Sequence, residues 1–311
     1  MAYGAETTTD EVLEGCDLTG VDILVTGASA GLGRETTRAL AAKGAHVIMA
    51  VRDMAKGEAA AATIREAVPS AGLELRTLDL ASLASVRAFA AGFLADHDRL
   101  SVLIANAGVM ACPSGTTADG FETQLGTNHL GHFLLTTLLT PALLAGAPSR
   151  VVVLTSSGHR FSDVDMDDPG FEHTPYDPWA AYGRSKTANA LFALGVDGRL
   201  ASSGVRAWSV HPGWINTELG RHLNEDSIAA LGVAMRGRPF PAQPKSIAAG
   251  SATSVWAATA PGPLDHGGRY LEDCGVAEVI SDAAEPKGVM AYAQDAERAD
   301  ALWEWSQGLV G

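Results

Sequence analysis

The chain has 311 residues, and 47% of them are hydrophobic, which is enough to bury a substantial core in one large domain or two small ones. Its 22 basic and 36 acidic residues give a formal charge of -14, which argues against nucleic acid or an anionic membrane surface as the main partner, because both reward clusters of Lys and Arg. Three widely spaced cysteines and a polar N-terminal extension, residues 1–19, show no disulfide framework, zinc spacing, signal peptide or anchor, so we expect a soluble cytoplasmic protein without membrane insertion.

Short apolar runs alternate with longer amphipathic segments along the chain. The runs predict strands at residues 22–26, 46–50, 73–78, 100–105, 150–155 and 205–210. The helix-like segments between them include two long ones, at residues 121–145 and 180–201. This alternation predicts a single doubly wound α/β domain over residues 1–311, with a parallel sheet of about seven strands covered on both faces.

Two irregular segments interrupt the alternation, at residues 157–179 and 214–243. Long irregular segments in a regular α/β domain are often binding loops or lids. We predict that residues 214–243 form a substrate lid. The first segment is either a binding loop or a surface elaboration.

A glycine-rich turn, TGASAGLG, follows the first predicted strand and opens the first helix. Glycines permit a tight turn and let backbone N–H groups approach a pyrophosphate, to which the helix N-terminus adds its positive partial charge. Glycines also end strands for conformational reasons alone, but this position favours a dinucleotide-binding turn. The contacting residues are predicted to be Gly27, Ser29, Ala30, Gly31, Leu32 and Gly33.

Polar residues also follow the third and fourth predicted strands. Asp79 and Leu80 end the third, and Asn106, Ala107 and Gly108 end the fourth. In an open parallel sheet, ligands bind outside the carboxyl ends of the strands. Asp79 is predicted to accept a hydrogen bond from an adenine amino group, and Asn106 to brace neighbouring loops. Each could be a simple turn former, but their occurrence at successive strand ends favours a cofactor site.

Four motifs together resemble the short-chain dehydrogenase/reductase family: TGASAGLG, NAG, a serine at a later strand end, and YGRSK. The resemblance covers roughly residues 20–311. More narrowly, GAHVIMAVRDMAKG, TNHLGHF, SSGHRF, YLEDCG and ALWEWS resemble the retinol-dehydrogenase-like branch, which includes the WW-domain-containing oxidoreductase. The resemblance implies a Rossmann domain that moves a hydride between a nicotinamide cofactor and an alcohol or carbonyl compound of lipophilic character. A homo-oligomer is possible.

The resemblance implies four catalytic residues, namely Asn128, Ser156, Tyr182 and Lys186. Tyr182 matches the general acid/base, whose ordinary pKa of about 10 must fall by about 3 units for it to act near neutrality. Lys186, one helical turn away, is expected to lower that pKa by about 1–3 units and to contact the cofactor ribose, and the positive ring of an oxidised nicotinamide is expected to contribute the remainder. Ser156 matches the serine that binds the substrate oxygen, with Ser157 as the alternative, and Asn128 supports a water path to the lysine.

The remaining predicted cofactor contacts lie after the second and sixth strands. Pro212 and Gly213 match a turn beside the nicotinamide amide, followed by Ile215 and Thr217. After the second strand, the position where an NAD-binding site carries a carboxylate holds a valine, and Arg52 comes next.

Arginine suits a ribose 2′-phosphate, and Arg34 can reach the same region from the first helix. We therefore expect NADP(H) to be preferred, with NAD(H) possible. Asp53 argues for NAD(H), but it is expected to cap the following helix.

Other conspicuous residues are predicted to be structural. His129 and His132 have no carboxylate or cysteine partner that would complete a metal site, so no metal is expected. Trp303 and Trp305 are expected to anchor the last helix to the core, and Cys274 to pack.

Two other functions are weighed against an alcohol/carbonyl oxidoreductase. A non-catalytic dinucleotide-binding or scaffolding protein could have lost one of the four catalytic residues, but all are present. An epimerase or dehydratase acting on nucleotide sugars shares the Tyr/Lys pair, but little chain follows the seventh strand to build a sugar-nucleotide domain.

Overall fold

The computed structural model describes residues 3–223, 225–234 and 243–311. Its strands are β1 (Asp22–Thr26), β2 (His46–Val51), β3 (Gly72–Thr77), β4 (Val102–Ala105), β5 (Ser149–Leu154), β6 (Val205–His211), β7 (Tyr270–Glu272), β8 (Gly275–Val276), β9 (Val279–Ile280) and β10 (Val289–Met290). One sheet has the order β3-β2-β1-β4-β5-β6-β7-β8, and β9 pairs with β10. Strands β1 to β7 are parallel and β8 is antiparallel to β7. The predicted sheet of about seven parallel strands is confirmed.

The helices cover both faces of this sheet. They are α1 (Thr9–Val12), α2 (Gly31–Ala41), α3 (Met54–Ala67), α4 (Leu83–Asp96), α5 (Thr123–Leu125), α6 (Gly131–Ala145), α7 (Pro178–Leu200), α8 (Glu225–Ala234), α9 (Ile247–Thr259) and α10 (Ala296–Val310). Successive strand residues point to opposite faces: Ile23 and Val25 pack with α2, α3 and α9, and Leu24 packs with α4, α6 and α7. The doubly wound Rossmann architecture is confirmed.

The strand order reverses at β1, which pairs with β2 on one side and β4 on the other. Connections leave this point in opposite directions and open a crevice at the carboxyl ends of the strands. At this crevice the turn after β1 lies next to the loop after β4, although the two are about 80 residues apart in sequence.

The long apolar segment before β5 is not one regular helix. A π-helical turn, Gly126–Leu130, separates α5 from α6. Single π-helical turns occur often at functional sites. This one carries Asn128.

The segment at residues 157–179 begins as a 3₁₀ helix, Ser157–Phe161, and then packs against α7. The Arg184 guanidinium lies 3.9 Å from the centroid of the Phe171 ring, and it donates to the carbonyl oxygen of Asp168 over 2.6 Å. Contacts of this kind anchor the segment to the helix that carries Tyr182.

The N-terminal extension is partly packed. Val12 and Leu13 are buried, and the Thr9 hydroxyl donates to Glu35 over 2.6 Å. The predicted lid contains a 3₁₀ helix, Glu218–His222, and α8. Residues 224 and 235–242 of that lid lie outside the described residues.

The structural roles predicted for three residues are confirmed. The Trp303 ring lies 4.9 Å from that of Phe133 in an edge contact, and Trp305 packs against the same core. Cys274 is buried. Within the three described ranges, no helix is long and apolar enough to cross a membrane.

Candidate active site

The glycine-rich turn is held in contact with the loop after β4. Gly27 has φ +67°, and a Cβ placed there would lie 2.9 Å from the Cα of Ala107. A Cβ on Gly33 would overlap the Gly27 carbonyl oxygen and lie 2.5 Å from Asn106 Nδ2. These two positions therefore require glycine, one for its backbone conformation and both for the close approach.

Asn106 and Thr26 brace this contact. Asn106 Nδ2 donates to the Thr26 carbonyl oxygen over 2.7 Å. The Thr26 hydroxyl oxygen accepts from the backbone N–H groups of Asn106 and Ala107, each over 2.9 Å. The bracing predicted for Asn106 is confirmed, whereas Thr26 was missed because its partners lie far away in sequence.

Helix α2 begins without a capping side chain. Its N-cap residue is Ala30, which has no side-chain acceptor for the first N–H groups. Helix α6 also lacks a side-chain cap, but it continues directly from the π-helical turn; the remaining long helices with a described cap use the side chains of Asp53, Ser82, Asp177, Ser246 and Asp295. Uncapped N–H groups and the helix dipole suit an anion, so this end of α2 fits the pyrophosphate of a dinucleotide.

The two arginines near the end of β2 are exposed. Neither the Arg34 nor the Arg52 guanidinium has an ion-pair or hydrogen-bond partner among the residues that the structure describes. The Asp53 carboxylate accepts from the Lys56 N–H over 3.1 Å, so its predicted role as a helix cap is confirmed. Asp79 Oδ1 accepts from the Ala81 N–H over 3.0 Å, and Leu80 beside it is buried.

The segment after β6 approaches the same turn. A Cβ on Gly31 would lie 3.4 Å from the Thr217 side chain. Ile215 lies so close to Gly250 in α9 that a side chain there would overlap it. Gly213 has φ +96°. The turns after β1 and β6 therefore approach each other at Gly31 and Thr217, and the contacts predicted for Ser29, Leu32 and Pro212 in these turns stay predictions.

Tyr182, Ser156 and Lys186 converge at the carboxyl end of β5. Tyr182 is only 3% exposed, and Ser156 Oγ lies beside its ring, since a Cβ placed on Gly158 would lie 2.6 Å from Tyr182 Cε1 and 3.3 Å from Ser156 Oγ. Lys186 Nζ lies 5.7 Å from the centroid of the Tyr182 ring and donates to the Leu154 carbonyl oxygen over 3.1 Å. Ser156 therefore faces the phenol.

Asn128 joins this group to the cofactor crevice. Its Nδ2 donates to the Val109 carbonyl oxygen and to the Ser185 hydroxyl, each over 2.9 Å, and its Oδ1 accepts from the Val109 N–H over 2.8 Å. A Cβ on Gly108 would lie 3.2 Å from Asn128 Oδ1 and 3.6 Å from Lys186 Nζ. The loop after β4 therefore contacts both the glycine-rich turn and the catalytic residues Asn128 and Lys186.

Burial shifts the pKa values of the tyrosine and the lysine. Removal from water disfavours the charged form of each group. Burial raises the pKa of Tyr182 to about 12, although the Ser156 side chain lowers this pKa by a smaller amount. Burial lowers the pKa of Lys186 to about 8.

In the chain without cofactor, Lys186 does not bring the pKa of Tyr182 toward neutrality, and the further lowering expected from an oxidised nicotinamide stays a prediction. The ammonium group is bonded to the Leu154 carbonyl, and burial of the phenol dominates. Tyr182 is protonated at neutral pH, a state that suits proton donation to a carbonyl oxygen.

His132 connects the cofactor turn to the π-helical turn. Its ring bonds the Thr26 hydroxyl through Nε2 and the Asn128 carbonyl oxygen through Nδ1, each over 2.9 Å. Burial lowers its pKa to about 4, so the ring is neutral. From the sequence, His132 was expected to have only a structural role. Its position four residues after Asn128 was the available signal.

A dinucleotide crevice with a Tyr/Lys/Ser group at its edge defines a nicotinamide-dependent oxidoreductase. The family model for short chain dehydrogenase matches residues 22–228. The chain belongs to this family, and it is an NAD(P)-dependent enzyme of alcohol and carbonyl oxidoreduction.

Individual proteins agree with this assignment. A Streptomyces lividans protein described as a probable oxidoreductase is 42% identical over 93% of this chain and 97% of its own length. Human retinol dehydrogenase 13 is 41% identical over 94% of this chain and 85% of its own length. A crystal structure of a Mycobacterium paratuberculosis protein is 34% identical, with a TM-score of 0.73, and covers 100% of this chain and 98% of that one.

Proposed function

We propose that the chain transfers a hydride reversibly between NADP(H) and a lipophilic alcohol or carbonyl compound, with Asn128, Ser156, Tyr182 and Lys186 as its catalytic residues. The observation that carries this proposal is the buried group formed by Tyr182, the adjacent Ser156 and Lys186 beside the loop after β4. A proton donor, a hydroxyl and a cation that share one desolvated site match what carbonyl reduction requires.

Each residue has a distinct role in the proton transfer. The protonated Tyr182 phenol donates its proton to the substrate oxygen during reduction, and the phenolate removes a proton from the alcohol during oxidation. Ser156 donates a hydrogen bond to the same oxygen. Lys186 stabilises the phenolate through its charge, and Asn128 holds the loop after β4 against α7. The nicotinamide supplies or receives the hydride.

The cofactor would lie along the crevice. Its pyrophosphate fits the uncapped end of α2 and the glycine-rich turn. Its adenosine would extend toward Asp79 and Leu80. Its nicotinamide half would lie near residues 106–108 and 212–217, at the ends of β4 and β6.

The preference for NADP(H) rests on the charges after β2. Arg34 and Arg52 are exposed and carry no ion pair among the described residues, so their guanidinium groups are available for a 2′-phosphate. Asp53, the carboxylate that follows Arg52 in sequence, already accepts from the Lys56 N–H.

The lipophilic character of the substrate rests on the side chains around Tyr182. An apolar cluster surrounds the phenol, formed by Met110, Ala111, Phe161, Trp179, Leu223 and Leu231. Apolar walls favour an apolar ligand, with few polar groups to orient it. Four of the similar proteins carry the name retinol dehydrogenase, so a retinoid belongs in any panel of test compounds.

The cofactor preference is tested with the wild type and with Arg52→Ala. A panel of apolar aldehydes and ketones supplies the substrate, and kcat/KM is measured with NADPH and with NADH from the change in nicotinamide absorbance. We expect the wild type to favour NADPH by at least about tenfold, and Arg52→Ala to remove most of that factor. Arg99→Ala is the matched control, because Arg99 is exposed and lies near Asp22 at the opposite end of β1. A preference for NADH, or one for NADPH that survives Arg52→Ala, contradicts the proposal.

The serine assignment is tested by comparing Ser156→Ala with Ser157→Ala. Loss of one donor to the reacting oxygen costs about 10²- to 10³-fold in rate, and we expect that loss only for Ser156→Ala. Ser157 participates through its backbone N–H, which alanine retains. The opposite order would transfer the role to Ser157.

A further inference from the structure

The peptide unit between Ser156 and Ser157 is held at both of its polar ends by histidine rings. The Ser156 carbonyl oxygen accepts from His159 Nδ1 over 2.7 Å and from the His159 backbone N–H over 3.0 Å. The Ser157 N–H donates to His211 Nδ1 over 3.2 Å. One peptide plane is therefore fixed from two sides, by side chains from the middle of the 3₁₀ helix and from the end of β6.

The hydrogen bonds assign opposite tautomers to the two rings. His159 Nδ1 faces a carbonyl oxygen and must carry a proton, while its Nε2 accepts from the Met290 N–H over 3.1 Å. His211 Nδ1 faces two donors and must be unprotonated, because it also accepts from the Gly213 N–H over 3.4 Å. Burial, helped by nearby cationic side chains, lowers the pKa of His211 to about 3, so this nitrogen remains an acceptor at working pH.

The direction of this peptide plane decides where the Ser156 hydroxyl lies. The plane fixes the backbone of Ser156, and the Ser156 Oγ is further held by the Gly158 N–H over 3.0 Å. That hydroxyl lies beside the Tyr182 ring. His211 also bonds the turn at Gly213, so the same ring joins the catalytic serine to the turn predicted beside the nicotinamide.

Tyr270 limits the movement of both rings. Its ring centroid lies 5.1 Å from that of His159 and 6.4 Å from that of His211, and its hydroxyl is 3.4 Å from His159 Nδ1. Tyr270 is fully buried in β7. Close packing of this kind lets the histidines act as rigid supports.

We propose that His159 and His211 are positioning residues that clamp the Ser156–Ser157 peptide plane and thereby aim the Ser156 hydroxyl at the reacting oxygen. This inference rests on the proposed role of Ser156. Neither histidine touches the substrate. Each acts through the serine, and His211 additionally couples the serine to the Gly213 turn.

The first test replaces each ring while monitoring cofactor affinity and turnover separately. His211→Phe and His159→Phe should lower kcat/KM for the carbonyl substrate by about 10- to 100-fold, the loss expected when a reacting group is displaced by about 1 Å. The dissociation constant of NADPH should change by less than about threefold. Asparagine presents an oxygen or nitrogen near the Nδ1 position, so His211→Asn and His159→Asn should recover most of the activity.

The matched control is His97→Phe. The His97 ring stacks on Phe93 at 4.6 Å on α4, on the far edge of the sheet, and its loss should leave kcat/KM within about twofold. If a phenyl ring is not accommodated at the two clamp positions, leucine replaces it in the same comparison. Asparagine variants no more active than the phenylalanine or leucine variants would overturn the clamp.

The second test is a double-mutant cycle with Ser156→Ala. In the Ser156→Ala background, adding His211→Phe should lower kcat/KM by a further factor of less than about three, because the hydroxyl that His211 positions is absent. An equal loss in both backgrounds overturns the clamp and leaves the role of Ser156 intact. Wild-type activity of Ser156→Ala itself would instead overturn the proposed role of Ser156, and the clamp with it.

Discussion

The Gly33→Ala variant probes the narrowest contact in the cofactor crevice. A Cβ at Gly33 would lie 2.5 Å from Asn106 Nδ2, whereas real Cβ contacts are essentially never shorter than 3.0 Å. The helix and the turn must therefore separate by at least about 0.5 Å, and Asn106 cannot yield without losing its 2.7 Å hydrogen bond to Thr26. Overpacking of this kind costs about 1–3 kcal/mol of stability.

The larger effect should fall on the cofactor. A displacement of the turn by a fraction of an ångström moves the N–H groups of α2 away from the pyrophosphate, and we expect the dissociation constant of NADPH to rise by about 10- to 100-fold. Isothermal titration calorimetry measures it directly. Gly198→Ala is the control, because a Cβ on this exposed glycine of α7 meets nothing within 4 Å. NADPH binding within twofold of wild type for Gly33→Ala would refute the assignment of this turn to the pyrophosphate.

Two further predictions follow from the shifted pKa values. Because the pKa of Tyr182 is about 12 and Lys186 keeps its charge below its pKa of about 8, kcat/KM for alcohol oxidation should rise by up to about tenfold per unit between about pH 6 and 8, while carbonyl reduction gains nothing; an oxidation rate that does not change with pH would contradict it. The pKa of Lys186 is about 8 in the folded chain against an ordinary value of 10.5, so the unfolded chain binds more protons between these values and stability rises with pH across that window. Lys186→Met should abolish that rise with pH and increase the free energy of unfolding at pH 7 by on the order of 1–3 kcal/mol, although turnover is lost. Thermal unfolding of the cofactor-free protein measures this stability. A Lys186→Met protein less stable than the wild type would contradict the prediction.

The sequence predicted the strands and the cofactor turn because both depend on local signals. Apolar runs and glycine spacing specify β1, the turn after it and the start of α2 without reference to distant residues. The cap at Asp53 was likewise read from adjacent residues. The division into a single domain stays a prediction, supported by one sheet that extends from residue 22 to residue 276.

The parts that could not be predicted depend on contacts across the sheet. The π-helical turn at Asn128 and the bracing by Thr26 depend on partners far away in sequence. The raised pKa of Tyr182 in the chain without cofactor could not be predicted, because helical spacing places Lys186 nearby but does not show that burial outweighs its charge. The histidine clamp likewise joins residues 156–159 to the end of β6.

The central claim is that this chain is a catalyst whose proton donor is Tyr182. Tyr182→Phe removes only the phenolic oxygen from a side chain that is 3% exposed, so the fold and the NADPH dissociation constant should be preserved. We predict a loss of turnover of about 10²- to 10⁴-fold, measured as NADPH oxidation with whichever carbonyl compound the wild type reduces fastest. Turnover within a few-fold of wild type in a correctly folded Tyr182→Phe protein that still binds NADPH would contradict the account.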